Sequence, residues 1–174
     1  MRTEVRYEDY ARKFLEQLPR GAFLSVRGPR DNVMTIGWGT IGYMWKKPVL
    51  MVMVRPSRYS YGLLENAGVF TVSVPLDQDL QDQLLACGKN SGRNLDKFRE
   101  FGLSRVPAAG LLDTPVVGQC RLHFECRTLY RQELDPENLD QVINDTAYNN
   151  GDYHVLYYGE ILEAYLLDPE EVNN

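Results

Sequence analysis

The chain is poor in the residues that usually announce a chemistry. Its 174 residues hold three cysteines, two histidines and two tryptophans, and no apolar run approaches the ~18 residues of a membrane-crossing helix. Cys87, Cys120 and Cys126 form neither a C-x-x-C pair nor a zinc-type spacing. Cys120 and Cys126 fall in one strand-like segment, about 20 Å apart along an extended chain, which is too far for a disulfide. Reduced, buried thiols of a cytoplasmic protein are therefore expected. No basic stretch followed by an apolar one opens the chain, so neither export nor membrane attachment is expected. G-x-S-x-G and H-E-x-x-H are absent, no ordered carboxylate pair stands out, and no metal site is expected.

Positive charge is missing where negative charge is dense. Residues 132–174 contain eleven acids and no Lys or Arg, whereas residues 27–64 carry Arg27, Arg30, Lys46, Lys47, Arg55 and Arg58 against Asp31 alone. The net charge of −5 argues against a general nucleic-acid binder. The basic stretch lies among strand signals rather than on an exposed helix, which suits a small phosphorylated ligand.

One short segment, Thr35 to Gly42 (TIGWGTIG), contains G-x-G-x-x-G. A dinucleotide-binding turn would need a helix opening on the glycines and an acid about 20 residues further on. Only Tyr43 to Lys47 separate Gly42 from Pro48, and a strand-like run, Val49 to Val54, follows at once. A crossover helix does not fit, and positions 55–60 (RPSRYS) contain no acid. Gly37 and Gly39 are read instead as bulges or as points where another body approaches the backbone.

With 44% hydrophobic residues and no internal repeat or linker, residues 1–174 read as one domain with a sizeable core. Tyr7, Tyr10, Ala11, Phe14, Leu15 and Leu18 share one helical face. Strands are expected over Ala22–Val26, Asn32–Ile41, Pro48–Val54, Val69–Val74, Gln119–Arg127 and Tyr153–Leu166, the last turning at Gly159. Short helices are expected at Tyr61–Asn66, Asp77–Ala86 and around Leu95–Phe101, with a polar loop from Cys87 to Asn94. Residues 134–148 read as an acidic, Asn-rich excursion. Cys120, Leu122, Phe124 and Cys126 alternate with Arg121, His123, Glu125 and Arg127, which places His123 and Glu125 on a wet face. Short strands with few helical crossovers indicate a mainly β fold, a closed or partly closed barrel.

The run NVMTIGWGTIGYMWKKPVLMVMVRPSRYSYGLLENAGVFTVSVP (Asn32–Pro75), the loop CGKNSGRNLDKF (Cys87–Phe98) and the late GDYHVLYYGEIL (Gly151–Leu162) resemble, in that order, three blocks of the flavin reductase-like, FMN-binding split-barrel family, nearest its flavoredoxin branch. The resemblance spans roughly residues 20–165. It implies a mainly β, Greek-key type split β-barrel with short flanking helices, and a homodimer with FMN at the subunit interface. The implied function is that of an FMN-binding oxidoreductase passing electrons or hydride through the flavin. NAD(P)H as transient donor is one route the resemblance leaves open. The others are a flavoredoxin-like carrier reduced by a partner protein and a non-catalytic FMN-binding module.

By the same resemblance, Asn32, Val33, Met34, Thr35, Ile36, Trp38 and Gly39 run along the flavin ring. Arg55, Pro56, Ser57, Tyr59 and Ser60 would cradle the phosphate, and their guanidinium, hydroxyls and helix start are the ingredients of an anion site. Arg58, in the same loop, reads as a surface residue. Lys89, Asn90, Ser91 and Gly92 match a second flavin-contacting loop, and either Lys89 or a residue of the partner subunit would supply the cation for the reduced ring. His154 matches the histidine of a family Gly-Asp-His motif linked to nicotinamide binding, and is the catalytic candidate. Here Tyr153 stands between Asp152 and His154. An aromatic ring at that position would either leave the nicotinamide route open or cover the flavin face.

Overall fold

The computed structural model describes residues 1–111 and 113–168. Ten strands and five α-helices are present among them: β1 (Arg2–Glu4), α1 (Tyr7–Gln17), β2 (Ala22–Val26), β3 (Asn32–Ile36), β4 (Gly39–Met44), β5 (Lys47–Val54), α2 (Tyr59–Ala67), β6 (Val69–Val74), α3 (Gln81–Lys89), α4 (Lys97–Glu100), β7 (Arg105–Pro107), β8 (Pro115–Val117), β9 (Leu122–Glu133), α5 (Gln141–Ala147) and β10 (Val155–Leu167). Within these residues no helix is long and apolar enough to cross a membrane.

The main sheet is antiparallel in the order β3-β2-β6-β9-β10-β5-β4, with β1 added on β10. Its two ends, β3 and β4, are consecutive in the chain and separated by Gly37 and Trp38 alone. A sheet whose first and last strands are joined by two residues has to curl until those edges meet. The result is a split β-barrel, closed at the β3–β4 seam by covalent chain instead of a ladder. The expected single strand 32–41 is thus two strands, broken at the glycine pair. A Cβ on Gly39 would sit 2.6 Å from the Met51 carbonyl oxygen, so glycine is what lets β4 lie against β5 there.

Inside the curl, Phe14 and Leu18 of the first helical segment pack with Leu24, Leu50, Val52, Val54, Phe70, Val72, Phe124 and Tyr157, all buried. Phe14 meets Phe124 edge to face at 5.8 Å. Each such side chain contributes about 1.5–3 kcal/mol. Outside β2 and β3 a second cluster, Phe23, Val33, Leu80, Leu84, Cys87 and Phe98, holds α3 and α4 in place.

Two expectations on β9 fail together. His123 and Glu125 are fully buried rather than wet. His123 bridges Ser73 Oγ (3.0 Å) and the Cys120 carbonyl (2.9 Å). Glu125 accepts hydrogen bonds from the backbone N–H groups of Ala109, Gly110 and Leu111. The segment around β7–β8 covers that face, and polar side chains beneath it keep partners, as burial requires. Cys120 precedes β9 rather than belonging to it, and all three cysteines are buried and unpaired. Gly159 lies inside β10 beside a register shift, where a Cβ would come within 2.6 Å of the Phe70 ring.

Candidate functional site

Two adjoining cavities open at the barrel seam. The first, about 280 Å³, is lined by Met34, Thr35, Ile36, Gly37 and Trp38 from β3 and the break, Met53 of β5, Arg55, Arg58, Gly88 and His154. The second, about 130 Å³, is lined by Asn32, Ser57, Arg58, Tyr59, Ser60, Lys89, Asn90, Ser91, Gly92, Arg93 and Lys97. Met34 and Arg58 belong to both and join them.

Alternation along β3 builds this arrangement. Met34 and Ile36 turn toward the barrel, while Val33 turns away into the cluster under α3. Thr35 donates its hydroxyl to the Leu84 carbonyl (2.6 Å), tying α3 to the strand. Asn32 donates to Ser60 Oγ (2.8 Å) at the floor of the polar cavity. A Cβ on Gly92 would run into the Asn32 side chain, so the loop after α3 closes on β3 because that residue is glycine.

The polar cavity concentrates cations. Arg58 donates to the Gly88 carbonyl (2.7 Å), and Arg93 donates to the Ser57 carbonyl (3.2 Å). Arg30 braces the loop through the carbonyls of Gly92 (2.9 Å) and Arg93 (3.3 Å). Lys97 is 2% exposed and makes one hydrogen bond, to the Cys87 carbonyl (2.9 Å). Burial pulls its pKa down to about 8, helped by the Arg58 charge and opposed by Cys87, and burial also lowers Arg58. Among the described residues none of Arg30, Arg58, Lys89, Arg93 and Lys97 is in a salt bridge. A buried ammonium with unused donors and no carboxylate beside it is a built place for an anion.

At the far end of the apolar cavity, His154 lies 5.3 Å from Trp38, ring to ring. Its Nδ1 is 2.7 Å from the hydroxyl of Tyr148. Burial, with the Arg55 charge next, pulls His154 down to about 4, so the imidazole is neutral near pH 7. Arg55 donates to the carbonyls of Asp152 (3.0 Å) and Ala147 (2.8 Å), and its guanidinium lies 4.9 Å from the Tyr148 ring. The Asp152 carboxylate takes both the N–H (3.1 Å) and the hydroxyl (2.6 Å) of Ser57.

The structure therefore gathers most of the expected residues. Asn32, Met34, Thr35, Ile36, Trp38, Arg55, Ser57, Tyr59, Ser60, Lys89, Asn90, Ser91, Gly92 and His154 all line the joined cavities; Val33, Gly39 and Pro56 do not. Arg55 clamps the 147–152 segment beside the apolar cavity instead of facing the polar one. Arg58, expected at the surface, is half-buried where the cavities meet. No sequence pattern singles out Lys97, Arg93, Met53 or Tyr148; the two cations lie within Cys87–Phe98, but their convergence depends on the path of α3 and α4. Tyr153 does not line the cavity: it stacks on Tyr148 (4.9 Å) and donates to Asn144 (2.7 Å).

A cavity of mixed lining, walled by Met34, Ile36, Trp38 and Met53, thus runs into a cationic pocket whose own lining holds no Asp or Glu among the described residues. Residues 16–173 match the flavin reductase like domain family. An uncharacterized protein of Archaeoglobus fulgidus is 30% identical over 166 residues, covering 94% of this chain and 79% of that one. Flavoredoxin of Desulfovibrio vulgaris (Miyazaki F) superposes with a TM-score of 0.64 at 23% identity, over 87% of this chain and 69% of that one. A candidate flavin reductase with a split barrel domain from Shewanella frigidimarina gives 0.65 at 15%, over 98% and 78%. The chain belongs to the flavin reductase like family and has its split-barrel fold, which places it among flavin-linked redox proteins.

Proposed function

We propose that the chain is an FMN-dependent oxidoreductase that works as a homodimer, with NAD(P)H as transient donor. The observation that carries the reading is the union of the first cavity with a pocket of cations that form no salt bridge among the described residues, joined at Met34 and Arg58. Bound FMN would supply hydride and one-electron chemistry. Backbone at Met34–Trp38 and the side chains of Ile36 and Met53 would flank its ring. Arg58, Lys97, Arg93, Ser60 and the 89–92 loop would take its phosphate. The neutral His154 would orient the second reactant, and hydride transfer depends on such alignment.

The outer face of the sheet supports the dimer. Met51 and Met53 on β5, Leu156 and Tyr158 on β10 and Tyr130 on β9 stand side by side in the strand register. Trp45, 55% exposed at the β4–β5 turn, packs on Tyr130 and Tyr158 at 6.2 Å. Met53 belongs both to this face and to the apolar cavity, so a second copy seated here would also cover the flavin slot.

The test is titration of flavin-stripped protein with FMN, FAD and riboflavin. FMN is expected to bind tightest, and Arg58→Ala should weaken it tenfold or more, the loss of a charge-assisted phosphate contact. Equal affinities for FMN and riboflavin would refute the phosphate assignment. Fast bleaching of the flavin band by NADH or NADPH would support the reductase; reduction only by a ferredoxin or dithionite would favour the carrier.

A further inference from the structure

Tyr148 closes α5, is 3% exposed and sits against three partners. Tyr153 stacks on it, the Arg55 guanidinium covers it, and its hydroxyl meets His154 Nδ1 at 2.7 Å. Among the described residues no other acceptor reaches that hydroxyl. A buried O–H keeps a partner, so the phenol donates and Nδ1 accepts. The imidazole proton is then on Nε2, which has no hydrogen-bond partner among the described residues, while the ring lines the apolar cavity beside Trp38.

We propose that Tyr148 is a positioning residue that locks His154 in its Nε2–H form, making the imidazole a fixed neutral donor to a carbonyl-type acceptor held in the cavity. The groups around it agree. Arg55 and Arg58 are cationic and carry donors only, Asp152 is turned to Ser57, and Tyr153 donates to Asn144. Burial also raises Tyr148, so its hydroxyl keeps its proton across the neutral range. The face offers hydrogen-bond donors and no base, which suits an amide, aldehyde or ketone oxygen and rejects an amidinium or protonated amine. The ligand class rests on the flavin reading above; the locked tautomer does not.

Nitrogen-15 NMR of the full chain labelled at histidine tests the tautomer without any variant. The expected result is an Nε2–H pattern for His154 from pH 6 to 8, with a slowly exchanging Tyr148 hydroxyl proton. An Nδ1–H pattern would overturn the proposal. Tyr148→Phe keeps the ring and removes the donor to neutral Nδ1, so an Nδ1–H population should appear for His154 in that variant. An unchanged tautomer in that variant would overturn it equally. For the ligand class, FMN-loaded protein is titrated with benzamide and with benzamidine, near-isosteres that differ in offering an acceptor. Benzamide should bind at least tenfold tighter and shift the Nε2 resonance, with the preference reduced in Tyr148→Phe; equal binding would sink the acceptor assignment. If FMN itself does not bind, the flavin reading and the ligand class fall while the tautomer measurement still stands or fails alone.

Discussion

At the scale of single residues, the site turns on a cation that sequence composition conceals. Lys97 is ordinary in the segment LDKF, yet its ammonium is buried with one carbonyl partner. Its pKa of about 8, lowered from 10.5, means that the free chain disfavours the charged form. Stability of the free protein therefore rises as pH climbs from about 8 to 10.5 and this group discharges. A bound phosphate favours the ammonium and moves its pKa upward, so FMN affinity should be full below pH 8 and fall as pH rises through the bound-state value, by up to tenfold per unit. Lys97→Met should flatten that slope; calorimetric titration at pH 7, 8 and 9 measures it, and a persisting slope would place the anion elsewhere. Lys89, Ser91 and His154 were legible because the family blocks name them. Arg58 and His123 both read as surface residues, yet one is half-buried between the cavities and the other fully buried, because side-chain burial depends on which distant segment covers a strand. Alternation in LHFEC could not show that β7–β8 would lie across its second face.

Elements were legible where apolar periodicity was strong, as in α1, β5 and β6, and blurred where glycine interrupts it. The run Asn32–Ile41 alternates well enough to pass for one strand, yet the barrel seam falls within it at Gly37–Trp38. The acidic excursion gave no periodic signal, since its order comes from outside. Arg55 binds the carbonyls of Ala147 and Asp152, Ser57 binds Asp152, and Asp140 caps α5 through the N–H groups of Val142 and Ile143. Arg55→Ala removes two charge-assisted bonds from partly buried carbonyls. Local opening of residues 141–154 should become easier by about 2 kcal/mol, roughly a thirtyfold loss of amide protection. FMN affinity should suffer less than in Arg58→Ala. Hydrogen exchange followed by mass spectrometry measures both the region and the size; unchanged protection would show that the clamp is redundant.

For the whole molecule, the curl that brings β3 and β4 together also leaves β4, β5, β10 and β9 presenting methionine and aromatic side chains outward. No window of sequence could show this, because the patch is assembled across four strands by register alone. The turn at its edge is informative. Trp45 and Lys46 both have positive φ, 53° and 58°, a conformation that suits Asn-Gly far better than a bulky pair. Such strain persists where something else fixes the position, and here it holds the indole over Tyr130 and Tyr158. A second copy covering the face would explain both a tryptophan held at this turn and an apolar patch left open to water. Tyr158→Glu, whose side chain projects outward between Met51 and Tyr130, should leave the monomer folded because its neighbours on β10, Tyr157 and Gly159, carry the core. It should shift the protein to monomer in sedimentation at micromolar concentration and, because Met53 is shared with the flavin slot, weaken FMN at least tenfold. A Tyr158→Glu protein that stays dimeric would move the interface to another face, and a monomer that keeps full FMN affinity would show that one subunit completes the site.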